Sequence, residues 1–230
     1  MDQGTAEHIK EAAAVISTYV DVLGIRCFAG LEDRETDYNE EVLQNFIKHA
    51  TVPIVNLESS TLHPLQSLAD LVTIETHKKK DRPKVVLTWA PHPRALPQAV
   101  SNSFAEWMKK ADVELVITNP EGYDLAPQFT EGVTVEHDQK KAFEGADFVY
   151  AKNWSSYDSY GQILSANPSW TIDADKMAVT NDAKFMHCLP VRRNVVVADE
   201  VIDSENSVVI EQAGNRVVSI QTVLQEFLKK

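Results

Sequence analysis

Apolar residues fall along this chain in short runs separated by amphipathic stretches. The runs VDVLGIRC (20–27), VPIVNLE (52–58), KVVLTWA (84–90), VELVITN (113–119), VTVEH (133–137), DFVYAKNW (147–154), FMHCLP (185–190) and SVVIEQ (207–212) each read as a strand. Several are rich in Val and Ile and lack polar alternation, as strands covered on both faces do. Between them, apolar spacing predicts helices over 6–18, 38–50, 65–80, 98–110, 138–145, 174–183 and 214–229. Alternation of this kind predicts an α/β chain built on doubly wound parallel sheets. No internal repeat or low-complexity linker interrupts it.

Sheets of this class bind ligands beyond the carboxyl ends of their strands, so the polar residues found there are the candidates for chemistry. Arg26 ends the first strand; Glu58 and then His63 follow the second; His92 follows the third, inside TWAPHPR. Lys152 ends the DFVYAK run, and Cys188, Leu189 and Arg192 follow the next. A crevice combining cations, imidazoles and one carboxylate suits an anionic ligand that also carries an amine. In FMHCLPVRRN (185–194), desolvating arginine is unfavourable without an anionic partner. Arg192 is the candidate, while Arg193 reads as a surface charge.

His63 opens the motif HPLQ, with Pro64 suited to a first helical turn. Alone it reads equally as a helix-start histidine. Gln66, one turn on, makes the pair able to hold a carbonyl oxygen and its amide. Glu58 also fits a helix-start charge, and Lys152 a strand-end residue reaching solvent. Cys188 invites a nucleophile reading, but adjacent strand residues point to opposite faces, so His187 is the wrong partner. More economically, Pro190 ends the ladder and frees the Cys188 and Leu189 carbonyls. Trp89, Trp107, Trp154 and Trp170 read as core or interface residues, and HKKKDR (77–82) as a solvated helix end.

Composition narrows the choice. The net charge of −12 argues against a nucleic-acid partner but leaves room for a local cationic site. Hydrophobic residues at 43% and charged residues at 24% are ordinary for a globular protein. No apolar run approaches the ~18 residues of a membrane helix, and no secretory leader is recognisable. Cys27 and Cys188 make neither a disulfide framework nor a zinc pattern, which suits a reducing cytoplasm. GxGxxG and GxxxxGK[ST] loops are absent.

HPLQ, FMHCLP and the pair Asn215–Arg216, in this order and separation, resemble the transcarbamylase family. TWAPHPRALPQAVSNSFAEWM and FEGADFVYAKNW resemble its branch acting on N-acylated ornithine. The resemblance implies two Rossmann-like domains, the N-terminal one incomplete. Residues 1–68 would end a carbamoyl phosphate domain, 69–212 form an acyl-ornithine domain, and 213–230 a helix returning to the first. Arg26, His63 and Gln66 would be catalytic. With Cys188, Leu189 and Arg216 they would hold carbamoyl phosphate, while Glu58, His92, Lys152 and Arg192 would bind the acylated ornithine. No metal, cofactor or covalent enzyme intermediate is implied. A homotrimer is, and so is a Ser-x-Arg-Thr phosphate loop upstream of residue 1. Nine positions after His187, the acetylornithine branch carries a lysine; Val196 instead resembles the succinylornithine branch. The expected activity is carbamoyl transfer to N-succinylornithine, with N-acetylornithine as alternative acceptor. The rivals are a non-catalytic ligand-binding relative and a Cys188-dependent hydrolase.

Overall fold

Two parallel sheets form in the computed structural model, which describes residues 8–229. α1 (Ile9–Ile16) leads to β1 (Leu23–Arg26), α2 (Arg34–Tyr38), α3 (Glu41–His49), β2 (Ile54–Glu58) and α4 (Pro64–His77). There follow β3 (Lys84–Trp89), α5 (Ala99–Met108), β4 (Glu114–Thr118), α6 (Pro127–Thr130), β5 (Thr134–Glu136), α7 (Gln139–Phe143) and β6 (Phe148–Lys152). A 3-10 turn (Pro168–Trp170), α8 (Ala174–Met177), β7 (Lys184–Met186), α9 (Asp199–Ile202) and α10 (Val209–Leu228) complete the chain.

In the small sheet β1 pairs with β2, bringing Arg26 opposite Glu58. The large sheet has the order β5-β4-β3-β6-β7, all parallel. From β3 the chain moves outward through β4 to β5, then returns to β6 on the other side of β3. The neighbouring ends of β3 and β6 are therefore a topological switch point, where a crevice opens. Successive β3 residues enter opposite cores: Val85, Leu87 and Trp89 join Phe104, Tyr150 and Met186, whereas Val86 joins Val149, Phe185 and Val197. That two-sided burial explains the absence of polar alternation in the sequence.

α4 starts at Pro64, whose missing N–H falls where no helical acceptor exists. It buries Gln66, Ala69, Asp70, Thr73 and Ile74 at helical spacing. α10 packs along it: Ser219 Oγ donates to Leu65 O at 2.7 Å, and Asn215 Nδ2 to Thr73 Oγ1 at 2.9 Å.

Three expected elements differ. SVVIEQ is no strand: Ser207 makes a single parallel bridge with Phe185, and α10 begins at Val209. Val209 and Gln212 are buried while Ile210 and Glu211 are exposed, a helical rather than an alternating pattern. The helix expected over 38–50 is divided by Glu40, which is left-handed at φ 49° and binds Thr61 N and Oγ1 at 3.0 and 2.6 Å. The helix expected over 174–183 ends at Met177. The first residues of the helix expected from residue 6 lie outside the described residues. Among the described residues no helix is long and apolar enough to cross a membrane.

Phe104 is fully buried, its ring 4.4 Å from that of Tyr150. Phe104→Ala is expected to lower unfolding free energy by about 3–5 kcal/mol, measured as a reduced urea midpoint at unchanged m-value. A loss below about 1 kcal/mol would contradict this packing.

Candidate active site

The ends of β1, β2, β6 and β7 and the start of α4 converge on a cavity of about 200 Å³. Arg26, Glu58, His63, Gln66, Lys152, Cys188, Leu189 and Arg216 line it, together with Phe28, Leu96, Pro97, Val100 and Pro190. All sequence-expected site residues thus meet in one cavity except His92 and Arg192.

Arg26 Nη2 donates to Glu58 Oε2 at 2.8 Å, and its guanidinium lies 4.7 Å from the Phe28 ring centroid. His63 Nε2 stands 3.8 Å from the same Oε2, too far for a hydrogen bond. Although a carboxylate normally favours a charged imidazole, here the opposing influences win. Burial foremost, then the charges of Arg26, Arg216 and Lys152, hold His63 down at about 4. His63 is neutral at pH 7, and its buried Nδ1 has no hydrogen-bond partner among the described residues. A neutral imidazole beside a guanidinium can polarise a carbonyl oxygen without adding charge to the site.

Gln66 is almost wholly buried and spends one donor on Asp70 Oδ1 at 2.8 Å. Because a carboxylate oxygen accepts that bond, the amide nitrogen faces Asp70 and the carbonyl oxygen is left for the cavity. Cys188 is buried, which pushes its thiol up and keeps it protonated. His187 does not face it as a base: His187 Nδ1 accepts from Leu189 N at 2.9 Å, and burial lowers that imidazole to about 3. The histidine holds the turn at Cys188 and Leu189, both of which line the cavity. Lys152 sits opposite Trp89 at the switch point.

His92 and Arg192 lie together just outside. Arg192 Nε donates to His92 Nε2 at 3.2 Å, while His92 Nδ1 lies 2.9 Å from Arg94 O and 3.2 Å from Arg94 N. Arg193 is a surface charge as expected, bonded to Asp199 at 2.9 Å and twice to Asp203 at 2.7 Å. Val196 does not line the cavity; it is buried in the core beside Val197. Phe28 was missed by sequence reading, although it stands two positions beyond Arg26.

Two family descriptions match this chain. The aspartate/ornithine carbamoyltransferase carbamoyl-P binding domain matches residues 1–76, and the Asp/Orn binding domain matches residues 97–227. The chain belongs to the aspartate/ornithine carbamoyltransferase family. It is 58% identical over its whole length to an N-succinylornithine carbamoyltransferase of Bacteroides fragilis (strain 638R), of which it spans 73%. It is 37% identical, over 94% of its length and 69% of the relative's, to an N-acetylornithine carbamoyltransferase of Xanthomonas axonopodis pv. citri (strain 306). Among solved structures, an acetylornithine transcarbamylase complexed with acetylcitrulline is 35% identical and superposes with a TM-score of 0.93, covering 100% of this chain and 75% of that one.

The His63 imidazole is expected to stay neutral from pH 8 down to about 5, protonating near 4, as read by 15N NMR. Its folded value lies below the ordinary 6.5, so the unfolded chain binds the proton first. Its contribution therefore lowers stability as pH falls from about 6.5 towards 4. A midpoint at or above 6.5 would contradict the cationic surroundings described here.

Proposed function

We propose that this chain transfers the carbamoyl group of carbamoyl phosphate to the δ-amine of N-succinyl-L-ornithine. The observation that carries it is the single cavity joining Arg26, His63 and Gln66 to Lys152, Cys188 and Arg216. Its choice of acceptor is supported by 58% identity to the succinylornithine relative against 37% to the acetylornithine one.

Arg26 and Arg216 supply charge for carbamoyl phosphate. Arg26 and His63 donate to the carbamoyl oxygen; the Gln66 carbonyl oxygen, with those of Cys188 and Leu189, accepts from the carbamoyl amino group. The neutral δ-amine attacks the carbamoyl carbon and negative charge moves onto the oxygen. Donors already in place strengthen there, and orientation and charge stabilisation each contribute several kcal/mol. The C–O bond to phosphate then breaks, phosphate leaves with the bonding pair, and the amine proton passes to phosphate or water. Glu58, paired with Arg26, faces the amino-acid end of the acceptor. Lys152, and the His92–Arg192 pair at the rim, face its carboxylates.

The division of the chain belongs to the same proposal: residues 1–68 serve carbamoyl phosphate, 69–212 the acylated ornithine, and 213–230 return α10 to the first part. So do a cytoplasmic location and a homotrimer. The exposed apolar Tyr19, Ile210 and Val217 offer surface for subunit contacts.

A ureido-product assay on the intact gene product, with carbamoyl phosphate and ornithine, N-acetylornithine or N-succinylornithine, is expected to favour the succinylated acceptor. Preference for the acetylated acceptor would overturn the acyl group alone, and no turnover from folded protein would favour a binding relative. Arg26→Leu is expected to lower kcat about a hundredfold or more, the effect of losing one oxyanion donor.

A further inference from the structure

Beneath the cavity lies a polar junction whose centre, Asp70 and Gln212, has no role in the transfer just described. Asp70, fully buried on α4, accepts from two amides through one oxygen: Gln66 Nε2 at 2.8 Å and Gln212 Nε2 at 2.7 Å. Gln212, fully buried on α10, turns its own oxygen to accept from His187 N at 2.9 Å. His187 in turn holds Leu189 N at 2.9 Å. Four bonds therefore run unbroken from the Gln66 amide to the backbone of the Cys188–Leu189 turn. The other Asp70 oxygen, Oδ2, makes no hydrogen bond of normal geometry among the described residues, although the buried Tyr150 hydroxyl, equally unpartnered, is a neighbour of the carboxyl. Burying a carboxyl this way is unfavourable, so residues of ordinary packing value rarely do it.

We propose that Asp70 is a positioning residue, which fixes the Gln66 carbonyl oxygen relative to the Cys188 and Leu189 carbonyls so that all three receive one amino group. This rests on the carbamoyl-transfer reading of the site. The three acceptors come from two elements, the start of α4 and the segment after β7, and α10 touches both. A shift of one element against the other would misplace the carbamoyl carbon without removing any group that touches it. The acceptor capacity of Oδ1, rather than its charge, does the holding. Burial, the largest influence, pushes Asp70 up to about 7 despite its amide donors, so the carboxyl protonates readily, and Oδ1 can accept from both amides in either form.

The test compares Asp70→Asn, Asp70→Leu and Gln212→Leu with wild type in the intact gene product, alone and combined with Gln66→Ala. Asp70→Asn keeps an acceptor oxygen and is expected to retain kcat/KM within about threefold. Asp70→Leu keeps the branching at Cγ and removes the acceptor. It is expected to lower kcat/KM for carbamoyl phosphate about a hundredfold, the effect of a displacement of about 1 Å, with the KM of the acylated ornithine unchanged. In the Gln66→Ala background the Asp70→Leu loss is expected to shrink to a few-fold, since groups acting through one another are not additive. Should Asp70→Leu fail to fold, Gln212→Leu carries the test: a raised KM for carbamoyl phosphate alone supports the role. Equal loss in Asp70→Asn and Asp70→Leu, full additivity with Gln66→Ala, or a matching rise in both KM values would overturn it. Absence of wild-type turnover would overturn carbamoyl transfer itself, and the positioning role with it.

Discussion

α4 can present His63 and Gln66 to the cavity only while α10 lies along it. The first turn of α4 carries both side chains, and its axis is fixed from one side by the loop after β2 and from the other by α10. Contacts at Leu65, Asp70 and Thr73 cover more than two helical turns, which constrains rotation as well as distance. α10 follows directly from the segment beside β7, so the same helix ties the small sheet's crevice to the large one. Parallel pairing then does the rest, since it sends the carboxyl ends of β1 and β2, and of β3, β6 and β7, to edges that face each other.

Within that frame the electrostatics run against the chain as a whole. A protein of net charge −12 gathers Arg26, Lys152 and Arg216 around 200 Å³ of space. Glu58 supplies one compensating charge and pairs with Arg26 at 2.8 Å. The consequence is visible at His63: poor solvation first, then three cations, keep it neutral even with a carboxylate near. An entering anion would relieve this imbalance. The site therefore favours a ligand bringing several negative charges, as carbamoyl phosphate does.

Much of this was legible in the residues. HPLQ marks a helix start and FMHCLP a strand that breaks into a turn, and Arg26, Glu58, Lys152 and Cys188, picked out by the strand-end rule, line one cavity. Less legible was SVVIEQ, where β-branched residues obey helical burial because Gln212 must reach Asp70 inside the protein. The division at Glu40 depends on a side chain reaching Ser59 and Thr61, a long-range bond no local pattern encodes. Asp70 was passed over because its partners are Gln66 on the same helix and Gln212, 142 positions away. Val196, read from sequence as bearing on the acyl group, packs into the core and gives the nearby turn its apolar anchor. Its link to the rim of the cavity is through the backbone: Val196 N donates to Arg192 O at 2.9 Å.

The most direct measurement is a crystal structure of the intact gene product with carbamoyl phosphate and N-succinyl-L-norvaline, the pair bound in a solved N-acetyl-L-ornithine transcarbamylase variant 34% identical to this chain. Norvaline lacks the attacking amine, so the complex cannot react. The carbamoyl oxygen is expected within hydrogen-bond distance of Arg26 and His63. Its amino group should meet Gln66 and the Cys188 and Leu189 carbonyls, and the succinyl carboxylate should face Lys152 or Arg192. Carbamoyl phosphate bound away from this cavity, or turned with its amino group towards Arg26, would contradict the account.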